Sequence, residues 1–166
     1  MKKCLFLVVL LLAVAGWFLL EISDERRVRK TFAIAESSLC KEGSELPFKT
    51  LGAAQTLAGL IEPGCRLEIP ERKFSVKLDE GDLTQRIVAF RRQSTAFAVS
   101  FEDLNVVFHD KTTAQVSCDF FFRGDSSAIG LVAGRDARAL DATLHWDGEC
   151  GKWRFAHVRL QPILVK

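Results

Sequence analysis

The strongest constraint on the fold of this chain is a change of hydrophobic period near Ala96. Upstream, apolar residues recur every three to four positions, the repeat of an amphipathic helix. Downstream they alternate, the repeat of a half-buried strand. From Asp24 to about Glu42 the apolar positions are Val28, Phe32, Ala35 and Leu39, with Asp24 and Glu25 suited to the first turn and Gly43 to the stop. A second stripe, Phe48, Leu51, Ala54, Ala58 and Ile61, starts behind Pro47 and ends at Pro63-Gly64. Two short alternating segments, Cys65–Ile69 and Lys73–Leu78, flank Pro70-Glu71-Arg72 and predict a strand pair. Asp82-Leu83-Thr84-Gln85 matches a capping box ahead of a third helix, with Leu83, Ile87 and Phe90 on its apolar side. Its arginines, Arg86, Arg91 and Arg92, are expected on a solvated face.

Beyond Ala96 the alternation predicts four long strands. Leu104, Val106 and Phe108 mark the first, and Ala114 to Phe122 form one face of the second. A Gly-rich loop through Gly124, Gly130 and Gly134 leads to the third, marked by Leu140, Ala142, Leu144 and Trp146. The Asp147-Gly148 turn opens the hairpin to the fourth, Lys152–Leu160. Strands grouped after helices imply an α+β domain over residues 24–166, with helices on one face of an antiparallel sheet.

Residues 1–22 stand apart from this domain. The run from Cys4 to Leu20 is 17 residues without a charge, the lower limit for a helix that spans a bilayer. Lys2 and Lys3 precede it, as in a signal anchor, and Ala13-Val14-Ala15 also resembles a cleavage site. An uncleaved membrane anchor with an extracytoplasmic, periplasmic domain is the expectation, and secretion after cleavage is the alternative. Lys and Arg counts alone, with Arg26, Arg27, Arg29 and Lys30 on the far flank, favour the opposite orientation. The formal net charge of +2 comes from this end: residues 1–30 carry six basic and three acidic groups, leaving 17 basic and 18 acidic groups in the rest. So nearly neutral a domain does not suit nucleic acid, whose binders need an excess of cations. Cys40, Cys65, Cys118 and Cys150 allow two disulfides or four buried thiols, and neither is selected. No Cys/His spacing fits zinc, and no phosphate loop or paired-glycine fingerprint occurs, so no metal or cofactor is expected.

The stretch Ala139–Leu160, ALDATLHWDGECGKWRFAHVRL, together with the helix Asp82–Arg92 ahead of the long strands, resembles the nuclear transport factor 2-like superfamily (SnoaL-like, cystatin-like). The closing hairpin of that family has an Asp-Gly turn before a Gly-Lys/Arg-Trp start to the last strand. The resemblance implies three helices on a curved, mostly antiparallel sheet that wraps a cone, whose open end can hold a ligand. Family members include isomerases, dehydratases, epoxide hydrolases, scaffolds and dimerisation modules. This chain contains no Tyr, so the Tyr-dependent constellations of the ketosteroid isomerase-like and scytalone dehydratase-like members are absent as such. No positions match an epoxide-hydrolase-like Asp-Arg-Asp set, and no catalytic residue is assigned.

Four residues of the last strand form the candidate ligand-binding set. Trp153, Phe155, His157 and Arg159 share strand parity, and in such a fold one face of this strand lines the cone. Asp119 is expected on the face opposite Cys118 and Phe120. His109 is expected in solvent and His145 opposite Leu144 and Trp146. Phe121, between Phe120 and Phe122, must point away from both, which makes it the candidate interface residue unless the Gly-rich loop covers it. The sequence therefore suggests a membrane-anchored, non-catalytic domain in protein interaction or envelope assembly, as a homodimer or with an envelope partner. The alternative is binding of a small apolar ligand, or lyase- or isomerase-type catalysis, in the cone.

Overall fold

The computed structural model describes residues 24–124 and 134–162, and the proposed anchor lies outside them. Among the described residues no helix is long and apolar enough to cross a membrane. Helix α1 spans residues 24–39 and buries Val28, Phe32 and Ala35, as its spacing predicts. It stops short of Glu42 because Cys40 and Lys41 turn away to meet the sheet. There Lys41 and Phe97 exchange backbone hydrogen bonds of 2.7 and 3.0 Å. Gly43 follows at φ +65°, a conformation that suits glycine.

Helix α2 (Pro47–Ala58) buries Thr50, Ala54, Leu57 and Ala58. Phe48 and Leu51, expected on this face, are instead 73% and 45% exposed. The small side chains of Ala54 and Ala58 permit close packing, and this rotates the inner face away from the larger residues of the first turn. Strand β1 (Ile61–Ile69) begins four residues before the expected Cys65. A 3₁₀ turn (Pro70–Arg72) leads to β2 (Phe74–Leu78). Helix α3 (Glu80–Gln93) also begins earlier than the capping box suggested. Its N-cap is Asp79, whose carboxylate accepts from the Gly81 N–H, and Glu80 and Asp82 lie in the first turn.

Strands β3 (Phe97–Phe108), β4 (Thr113–Gly124), β5 (Gly134–Asp147) and β6 (Lys152–Pro162) complete one six-stranded sheet in the order β2-β1-β6-β5-β4-β3. All neighbours are antiparallel except β1 and β6. The edge strand β3 is not left open. Arg29 donates to the Leu104 carbonyl, Glu36 accepts from the Phe101 N–H, and Cys40 Sγ contacts the Val99 backbone. Helix α1 thus occupies the edge that would otherwise template another strand.

The ladder is irregular at three places, one of them in β1 against β6 between Ile61 and Arg66. In β3 the register against β4 shifts between Glu102 and Asn105, where Asp103 adopts φ +53°. In β6, Phe155 pairs with Leu144 and His157 with Thr143, so Ala156 is an extra residue. Such a bulge increases local twist and reverses the facing of everything beyond it. Val158 and Leu160 therefore join Trp153 and Phe155 on the core side, and His157 and Arg159 lie on the other. The expected common face of Trp153, Phe155, His157 and Arg159 does not exist.

Candidate functional site

Phe122, Phe120, Val99 and Phe97 face inward from β4 and β3, as their alternation requires. On the other wing, Leu67, Ile69, Phe74, Val76 and Leu78 project from β1 and β2. Helix α3 crosses between the wings and turns Leu83, Ile87 and Phe90 toward the interior. The curved sheet separates the wings more widely than these side chains can fill. A cavity of about 640 Å³ remains, within the range usual for small-molecule sites. Leu39 and Leu57 close it from α1 and α2.

The polar lining among the described residues is Arg72, Arg86, Arg91 and Gln93. Arg91 was expected in solvent with its neighbours, and it is 2% exposed. Its guanidinium makes a 2.7 Å bond to Glu45 Oε1 and bonds of 2.9 and 3.1 Å to Glu45 Oε2. It also donates to the carbonyls of Ser38 (2.7 Å) and Cys40 (3.0 Å). Lys41 Nζ adds bonds of 2.6 Å to the carbonyls of Arg91 and Ser94. The ends of α1 and α3 and the segment between α1 and α2 are thereby tied into one wall. Burial pushes the Glu45 carboxyl up, but the hydrogen bonds and charge of Arg91 outweigh it and hold the pKa below the ordinary value.

Arg72 and Arg86 differ from Arg91. Both are exposed, both line the cavity, and neither has an ion-pair or hydrogen-bond partner among the described residues. Periodicity placed Arg86 off the apolar stripe, and the register of Arg72 was hidden in a Pro-initiated turn. Only the convergence of α3 and the 3₁₀ turn before β2 reveals that the two residues share a cavity.

The four candidate residues of β6 lie elsewhere. Trp153 is 1% exposed and packs against Phe108 and Trp146, while Phe155 packs edge-on to Phe32. Both belong to the core. His157 Nε2 lies 3.3 Å from Glu68 on the outer face, and Arg159 is exposed there, opposite Asp141 and Glu68 in the ladder. Phe121 is half-buried on the same outer face, between Ser100 and Ala137 in the register. Asp119 also faces outward, opposite Glu102. His145 contacts Glu62 at 2.9 Å, and His109 contacts Gln115 at 3.0 Å, both exposed.

Cys40, Cys65, Cys118 and Cys150 are free thiols. Burial, with a contribution from Glu62, pushes the Cys65 thiol up to about 11. Burial, Asp119 and Asp141 push Cys118 up to about 12. Among the described residues no group of three or more His, Cys, Asp or Glu could hold a metal ion.

No family model matches the chain, and no curated protein matches it. Solved structures do. A protein of unknown function from Mycobacterium tuberculosis aligns with a TM-score of 0.62 at 15% identity, covering 84% of this chain and 72% of that one. An NTF-2 like protein of unknown function from Pseudomonas aeruginosa gives 0.57 at 14% identity, covering 82% and 95%. A hexachlorocyclohexane dehydrochlorinase from Novosphingobium barchaimii gives 0.59 at 13% identity, covering 84% and 86%. At these identities the likeness is one of fold: three helices on a six-stranded, mostly antiparallel sheet, the nuclear transport factor 2-like cone. The same architecture serves enzymes and proteins of unknown function, so the activity of this chain must be argued from its own cavity.

Proposed function

We propose that the cone of this protein holds a small apolar molecule, as a binding site and not a reaction centre. One observation carries the reading. The cavity is large enough for a ligand, its lining is mainly Leu, Ile, Val and Phe, and among the described residues no carboxylate, His, Ser, Thr, Cys or Tyr contributes to it. Such a lining offers desolvation and shape, with no group able to take or give a proton near neutral pH. The test is the binding of N-phenyl-1-naphthylamine, a neutral dye that fluoresces in apolar surroundings. Wild type and Ala89→Trp would be compared, because Ala89 lines the cavity from an exposed position and a bulkier side chain there blocks it. Saturable binding by wild type and its loss in the folded variant are expected. Equal binding by both would refute the assignment.

A second reading concerns assembly. Residues 4–20 would hold the domain at a membrane, on its outer side, supported by the uncharged run and the leading lysines. The outer face of the sheet would then meet a second copy or an envelope protein. Support comes from Phe121, a large apolar side chain on that face. Phe121→Asp should abolish self-association measured by sedimentation, and a wild-type protein that is monomeric throughout would remove the basis for a homodimer.

A further inference from the structure

We infer that the ligand of the cone is a single-chain amphiphile with an anionic head, its tail among the apolar residues and its head at Arg72 and Arg86. The inference rests on the proposal that the cone binds a small apolar molecule, and it adds the chemical class.

Charge balance carries the argument. The described lining contains three guanidinium groups and no carboxylate. Glu45 neutralises Arg91, through a bidentate pair buried with it in the wall. The charges of Arg72 and Arg86 are left without a partner among the described residues. They come from separate elements, the 3₁₀ turn after β1 and the middle of α3, and both are exposed while lining the same cavity. Each can keep its head in water while its stem borders the apolar interior. Some other surface arginines are paired, such as Arg29 with Glu25 and Arg66 with Glu68, and others, such as Arg92 and Arg123, are exposed without lining the cavity, so Arg72 and Arg86 are distinguished by bordering it.

Two unpaired cations beside an apolar cavity repel a cationic amphiphile and give a neutral one nothing for its head. A carboxylate or phosphate monoester would receive charge-assisted hydrogen bonds from planar guanidinium donors, the geometry for which arginine is suited. The interior at Leu67, Phe90 and Phe120 presents no polar side chain, so a second polar group on the tail would lose its hydration without replacement.

The test is competition on the full chain in lipid nanodiscs. N-phenyl-1-naphthylamine is displaced by decanoate, decyl phosphate or decanol, from wild type and from the Arg72→Gln/Arg86→Gln double variant. Partition into the lipid cancels between the two proteins for each competitor, and the competitors are compared with one another at equal free concentration, fixed by equilibrium dialysis against empty nanodiscs. In wild type, at least one of the two anions should displace the dye roughly tenfold or more better than decanol, and the double variant should lose that preference while still binding the dye. The ranking of decanoate and decyl phosphate separates a carboxylate source from a phosphate source. Equal displacement by all three in wild type, or a preference unchanged in the double variant, overturns the anionic head and leaves the apolar site standing. Failure of wild type to bind the dye removes the apolar site and this inference with it.

Discussion

The Glu45–Arg91 pair should be among the costliest polar contacts to break. Both side chains are nearly inaccessible, at 3% and 2% exposure. In Glu45→Gln the amide retains one acceptor for the guanidinium, but the Arg91 charge is left buried with only the Ser38 and Cys40 carbonyls to compensate it. Uncompensated buried charges of this kind cost about 3–5 kcal/mol, a large share of the roughly 5–15 kcal/mol that holds a domain folded. Arg91→Met should cost a similar amount, since it orphans two carbonyls as well as the carboxylate. The double variant should cost less than the sum of the two by about 2 kcal/mol or more, because the second change removes the partner that the first left stranded. Urea unfolding followed by tryptophan fluorescence measures this, with Trp153 as a buried reporter. The pH dependence has a fixed sign. The Glu45 pKa in the folded protein lies below its ordinary value of 4.5, so its contribution is complete above that value and is lost as pH falls through the lower, folded pKa. The stability gap between wild type and Glu45→Gln should therefore narrow in acid. A cost under about 1 kcal/mol at neutral pH would refute the claim that the pair is desolvated and mutually dependent.

Other consequences are open to direct measurement. Of the cysteines among the described residues, the exposed Cys150 should react first with thiol reagents at pH 8, while Cys65 and Cys118, raised to about 11 and about 12, stay protonated and unreactive until the protein unfolds. Quantified labelling by mass spectrometry with and without urea gives the order. A side chain on Gly124 would put Cβ 2.7 Å from the Phe122 ring and 2.9 Å from Phe97 Cβ, so Gly124→Ala should lose about 1–3 kcal/mol in the same unfolding assay. Deleting Ala156 should remove the bulge yet leave His157 opposite Thr143 and Val158 opposite Ala142, so the domain still folds, whereas deleting Val158 should turn Arg159 toward the core and lower the unfolding midpoint far more.

The division of the chain into helices and strands was legible because burial on one side imposes a period, and the periods of helix and strand differ. Val28, Phe32 and Ala35 were found this way, as was the inward row from Ala114 to Phe122. The candidate site was not legible, for a reason located at Ala156. A strand pattern carries facing information only while the register is regular, and one extra residue reverses every assignment beyond it. His157 and Arg159 were thus assigned to the face they do not occupy. Arg91 hid for a different reason. Within Arg86, Arg91 and Arg92, only tertiary contact distinguishes the residue that meets Glu45 from those that meet water, and Glu45 lies 46 positions away. Phe48 and Leu51 show the reverse error: a helical stripe identifies an apolar arc, but the packing partner decides which part of the arc is buried. Phe121 was placed on the outer face by alternation alone, since β4 is regular from Thr113 to Gly124 against β5.

The most direct test of the central claim is a crystal structure of the protein with a bromine-tagged straight-chain carboxylate, read by anomalous scattering. A bromine peak is expected inside the cone between Leu67, Phe90 and Phe120, with the carboxylate directed to Arg72 and Arg86. A cone whose interior is filled by the protein's own side chains, with no bromine in it, would show that it is not a ligand site.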